Sequence, residues 1–221
     1  ALGENFRSCK FTFKRGKPCP LKFSTCGSNQ TKPPAKTIRK FMKLLLHTCC
    51  APCLIYPLEQ LKAKGFAVSG LFYNPNIHPY AEYKNRRVSV EDLSGMARVE
   101  MIYPEYNPSE FFRAINQKED NPARCPICWT LRLKQTAKSA KEKEYTHFST
   151  TLLVSPYQDQ ETLKKIGSDV AKEEGVEFYY EDFRRGFKKA HNQAKAAGIY
   201  CQKYCGCIYG EIEQCRQSAK R

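Results

Sequence analysis

The sequence predicts a single α/β domain, a parallel sheet with flanking helices. Three observations predict it: β-type apolar runs alternate with segments of helical period, 221 residues and 25.4 kDa suit one sizeable core, and no run of eighteen apolar residues occurs. The run 44–48, Leu-Leu-Leu-His-Thr, reads as a buried strand. Residues 56–65 read as a helix closed by Gly65, and 66–73 as the next strand. Asn74-Pro75-Asn76 then breaks the chain, a polar helix resumes over 79–90, and 98–103 forms a third strand. Phe111, Phe112 and Ile115 give 108–117 helical spacing. Pro126 stands where the first turn of a helix accepts it, and that helix runs to about Lys143. Residues 146–154 are β-rich, 158–174 helical, 176–180 a short strand and 186–197 a helix. A last helix starts near Ile208.

Charge is unevenly spread. Residues 1–41 hold ten Lys/Arg against the single acid Glu4, so +9 of the net +15 lies there, and 27 bases face 21 acids in 42–221. The first segment lacks apolar period and carries Pro18, Pro20, Pro33 and Pro34, which marks a basic, poorly ordered extension before an α/β domain over 42–221. Met42, directly ahead of the first strand, reads as the native start. With neither a membrane span nor a secretory signal, the expectation is a soluble, cytoplasmic protein.

Cysteine spacing carries the chemistry. Six of the twelve cysteines form three close pairs: Cys49-Cys50, Cys125-x-x-Cys128 and Cys205-Gly206-Cys207. A disulfide scaffold suits small secreted domains, not a chain with a full α/β pattern. The first pair follows the first strand, at the end where open parallel sheets place ligands. With Cys125 and Cys128 at a helix-opening turn, it can converge on one soft metal centre, either zinc or an iron–sulfur cluster. Cys53, one turn after Cys50, reads first as a packed thiol and second as a spare ligand. In Cys205-Gly206-Cys207 the glycine permits the bend that a short disulfide loop demands, and such a strained bond is the labile, redox-active kind; the alternative is a pair of metal ligands.

Five ordered blocks carry a resemblance: 47–53 (His-Thr-Cys-Cys-Ala-Pro-Cys), 72–79 (Phe-Tyr-Asn-Pro-Asn-Ile-His-Pro), 124–128 (Arg-Cys-Pro-Ile-Cys), 150–156 (Thr-Thr-Leu-Leu-Val-Ser-Pro) and 202–207 (Gln-Lys-Tyr-Cys-Gly-Cys). Together the sequence resembles the QueH-type epoxyqueuosine reductases from Met42 to about Glu211. The resemblance implies a Rossmann-like, nucleotide alpha-hydrolase-like fold and a cobalamin-independent oxidoreductase. Its reaction would be the last step of tRNA queuosine synthesis, reduction of the cyclopentane epoxide to the alkene. It also implies a [4Fe–4S] cluster on Cys49, Cys50, Cys125 and Cys128, a redox-active pair at Cys205 and Cys207, and one additional mononuclear iron, for which Asp182 is the candidate ligand. His78 is the candidate proton donor to the epoxide oxygen. The implied partners are tRNAs with a GUN anticodon (Tyr, His, Asn, Asp) and an electron donor of unknown identity.

For the tRNA, Lys84, Arg86 and Arg87, then Arg184, Arg185, Lys188 and Lys189, are candidate phosphate contacts. Tyr73, Tyr80, Tyr83 and Tyr157 are candidate platforms for a splayed base. The competing class is a non-catalytic zinc protein that binds RNA, which leaves Cys205 and Cys207 without a role. An ATP-using enzyme of the doubly wound type is disfavoured, because Cys-Cys-Ala-Pro stands where a Gly-rich phosphate loop would follow the first strand.

Overall fold

A computed structural model describes residues 42–120 and 122–219; the basic extension lies outside them. Five strands, β1 (Lys43–His47), β2 (Ala67–Leu71), β3 (Met101–Ile102), β4 (His147–Thr150) and β5 (Glu177–Phe178), form one parallel sheet in the order β3-β2-β1-β4-β5. Seven helices accompany it: α1 (Ala51–Ala63), α2 (Tyr80–Ala97), α3 (Pro108–Ile115), α4 (Arg124–Glu142), α5 (Gln160–Glu174), α6 (Phe187–Ala196) and α7 (Ile208–Ser218).

The leucine run explains why β1 is central. Successive strand side chains point to opposite faces, and Leu44 and Leu46 enter a core with Leu54, Leu58 and Leu61 of α1. Leu45 enters the opposite core with Leu133 and Ala137 of α4 and Val170 of α5. All three leucines are fully buried. A strand covered on both faces is a continuous apolar run, not an alternating one.

Several boundaries move from their sequence-based positions for local reasons. The first helix starts at Ala51, five residues early, because Pro52 falls in its first turn, where no N–H is needed. The second extends to Ala97, since Val90, Leu93 and Ala97 continue a buried stripe, and ends where Arg98 turns left-handed at φ 50°. The third and fifth strands shrink to two residues each. Residues 146–154 split: β4 stops at Thr150, whose Oγ1 accepts the Leu152 N–H at 3.1 Å and starts a 3-10 turn over Thr151–Val154.

Sheet order reverses direction at β1, with β2 on one side and β4 on the other. The crevice beyond the carboxyl ends of β1 and β4 is therefore the switch point where ligands bind in open α/β sheets.

Candidate metal centre

Cysteine sulfurs fill that crevice. The sulfurs of Cys49, Cys50 and Cys53 all lie within 4.8 Å of one another, on residues no more than 8% exposed. Cys49 Sγ is 3.7 Å from Cys50 Sγ. From the end of β4, Thr151 Oγ1 accepts the Cys49 N–H at 3.0 Å and approaches its sulfur at 3.2 Å. Gln202 Nε2 donates to Cys50 Sγ at 2.8 Å, with Cys53 Sγ at 3.8 Å. Hydrogen bonds from the Cys50 and Cys53 thiols, helped by Thr151, hold Cys49 well below the ordinary thiol range against the pull of burial. Burial first, and then the bond to Cys49, push Cys50 up; the two neighbouring sulfurs and burial do the same to Cys53. Within the trio, negative charge is thus favoured on Cys49 over its two neighbours.

His47 supports this floor. It is fully buried, and burial followed by the Arg132 charge lowers its pKa to about 4. The neutral ring donates from Nε2 to the Tyr73 carbonyl at 3.2 Å, which leaves Nδ1 to accept the Thr150 hydroxyl at 2.9 Å.

Two further cysteine groups face the trio. Cys125 and Cys128 occupy the first turns of α4, the former half-buried and the latter buried. Burial pushes the Cys128 thiol up to about 12, opposed by Arg132. Cys207 caps α7 and packs with Cys128, Phe111 and Ile115. Cys205, before it, is exposed; both are free thiols. A cavity of about 500 Å³ is lined by Cys49, Cys53, Cys125, Cys128, Cys205 and Cys207. Sulfur donors of this number, largely buried, fit a soft metal or an iron–sulfur cluster and suit a hard cation poorly.

The Cys205 loop is fixed by a buried arginine. Arg86, 1% exposed, donates to Glu82 at 2.7 Å and to the carbonyls of Cys205 and Tyr204 at 3.1 and 3.0 Å. Tyr200 also donates to Glu82. Gly206 has φ +110°, and a Cβ there would come within 2.8 Å of Ile77 and 3.2 Å of Arg86, so only glycine fits.

A family model described as "Epoxyqueuosine reductase QueH" matches residues 44–213. The chain belongs to the QueH family. A relative of that name from Dehalococcoides mccartyi is 40% identical over 173 residues, 78% of this chain and 94% of that protein. Another from Thermotoga maritima is 32% identical over 185 residues, covering 80% and 94%. A solved archaeal structure, a predicted subunit of tRNA methyltransferase from Methanocaldococcus jannaschii, is 12% identical with TM-score 0.49 over 70% of this chain and 75% of that one.

Not every residue expected of a QueH-family site reaches the cavity. Cys53, expected as a packed thiol, stands inside the sulfur trio and lines the cavity. Asp182 does not line it: its carboxylate is forked onto Arg184, at 2.5 and 2.8 Å, on the surface beyond β5. His78 is buried between Phe111 and Phe112, outside the lining, and burial lowers its pKa. Arg86 is the loop clamp and not a phosphate contact. Arg87 pairs with Glu91, Arg185 with Tyr56 and Lys189 with Glu59. Tyr73 donates to Glu110 and Tyr83 is buried; Tyr80 is exposed but off the cavity. Tyr157, 83% exposed, stands on the cavity rim with its ring edge-on to Phe187. Sequence reading missed Arg132, whose only signal is its place one turn after Cys128, and gave no role to Thr151 or Gln202, though both lie in the recognised blocks.

Proposed function

We propose that this chain reduces epoxyqueuosine in tRNA to queuosine, without cobalamin, as an oxidoreductase of the QueH family. The observation that carries this reading is the convergence of three cysteine groups on one cavity at the switch point of the sheet. Cys49, Cys50, Cys125 and Cys128 are the donors for a [4Fe–4S] cluster, and Cys53, not Asp182, is the extra donor available to a second iron. Such a centre supplies electrons singly and offers a Lewis acid for epoxide oxygen.

The remaining roles belong to the chain's own residues. Loss of the epoxide oxygen as water takes up two electrons and two protons. Oxidation of the Cys205 and Cys207 thiols to a disulfide releases the same number, so the pair balances one turnover and an external reductant restores it. Buried Phe111, Trp129 and Leu152 keep the cavity wall dry. Tyr157 on the rim offers a face to a base splayed from the anticodon loop of a GUN tRNA, and stacking of this kind contributes roughly 1–3 kcal/mol per base. Tyr157→Ala is therefore expected to raise KM for the tRNA about tenfold or more with kcat retained.

The deciding experiment is anaerobic purification followed by iron, acid-labile sulfide and zinc determination in wild type and Cys125→Ser, with turnover of epoxyqueuosine-tRNA. Iron with matching sulfide, lost in Cys125→Ser, and turnover lost in Cys207→Ser with the cluster intact, are the expected results. One zinc without sulfide sinks the reductase and leaves a zinc protein that binds RNA.

A further inference from the structure

Three buried arginines line the cavity: Arg86, Arg124 and Arg132, 1%, 3% and 4% exposed. Two are neutralised by a carboxylate. Arg86 holds Glu82 at 2.7 Å, and Arg124 forks onto Glu213 at 2.8 and 3.0 Å. Arg132 differs: among the described residues no carboxylate lies within 4.0 Å of it, and its one side-chain hydrogen bond runs from Nε to the Cys128 carbonyl at 3.2 Å. The helix places it one turn beyond Cys128, with its side chain on the cavity wall.

A buried guanidinium without a counter-ion is costly, because the desolvation of a permanent charge is offset only by an opposite charge nearby. Apart from the Glu213 carboxylate, which Arg124 already engages, the anions this cavity can offer are sulfur-borne. We infer that Arg132 is the fixed counter-charge of the sulfur-held centre and sets its reduction potential upward. This rests on the metal–sulfur reading above. One-electron reduction by an external donor adds one negative charge to the centre, and a cation that cannot lose its proton stabilises the reduced form over the oxidised one. Arg132 acts through the centre and is a positioning charge, not a catalytic residue.

The neighbouring pair gives an opposite lever. Glu213 neutralises Arg124 at the same wall and its side chain is 39% exposed, so Glu213→Gln releases a second positive charge toward the sulfurs without emptying the core. The test is a dithionite titration of the loaded protein, followed by its visible absorbance at fixed pH and salt. Arg132→Gln is expected to shift the redox equilibrium roughly tenfold toward the oxidised form, a fall of about 59 mV for one electron. Arg132→Lys retains most of the wild-type value, and Glu213→Gln moves it upward. Iron and sulfide content, unchanged in each variant, separates this from loss of the centre. An unshifted potential in Arg132→Gln with the centre intact overturns the inference. If Arg132→Gln cannot hold the centre, Glu213→Gln decides, and a potential that stays put or falls overturns it equally. Wild-type protein with no reducible centre removes the metal–sulfur reading itself, and the inference with it.

Discussion

Helices that begin with a cysteine and helices that begin with a capping side chain are built differently in this molecule. The capped ones, α3 and α5, look after their own first turns: Asn107 accepts the Ser109 N–H, and Asp159 accepts those of Glu161 and Thr162. At α1 and α7 the cap position is Cys50 or Cys207, α4 opens with Cys125 in its first turn, and none of the three has a side-chain cap. Nor do α1 and α4 carry an acid in the first turn. Their open amide ends and partial positive charge are left for the cavity, where they oppose part of the burial that pushes the Cys50, Cys125 and Cys207 thiols up. Support comes instead from far along the chain: Thr151 to Cys49 across 102 residues, Arg86 to Cys205 across 119, Glu213 to Arg124 across 89. The lesson is that ligand-bearing helix starts give up local capping and depend on tertiary bonds.

Removing a long-range support tests that dependence most severely. Arg86→Ala leaves Glu82 buried without its partner and two loop carbonyls unmet, and is expected to destabilise the protein by about 3–5 kcal/mol in urea unfolding. A loss below 1 kcal/mol would show that the Cys205 loop holds itself. Thr151→Val keeps the volume but strands the Cys49 N–H, for an expected loss of about 1–3 kcal/mol, together with weaker metal retention against a chelator. On the capped side, Asp159→Ala should lower stability by about 1 kcal/mol while metal content stays at the wild-type level. The smallest effect has the opposite sign. Serine is a preferred cap residue, so Cys50→Ser should leave the metal-free protein as stable as wild type or up to about 0.5 kcal/mol more so, while loading fails. A large loss of stability there would mean that Cys50 is needed for packing.

What could be read from sequence follows the same division. The Leu44–Leu46 run identified the central strand, because burial on both faces leaves no room for polar alternation. The three cysteine pairs identified the crevice, because thiols clustered beside a strand end have few other uses. The start of α1 was hidden, since Pro52 reads as a break unless the helix is known to open there. Cys53 stayed open between packing and a spare ligand, because one-turn spacing from Cys50 does not say whether the three sulfurs turn inward together. Arg86 was misplaced for a related reason: its i,i+4 spacing from Glu82 was visible, but the carbonyls it clamps lie more than a hundred residues away. Asp182 was the candidate for the acidic metal ligand that the resemblance implies, whereas Arg184, two residues on, already holds its carboxylate. Side-chain partners set by tertiary structure were the illegible part.

The two-residue outer strands also bear on how the sheet meets other chains. With β3 and β5 so short, neither rim presents a long row of open amides and carbonyls to an incoming extended segment. Strand addition at either flank is thereby discouraged, both as a route to fibrillar self-association and as a mode of peptide capture.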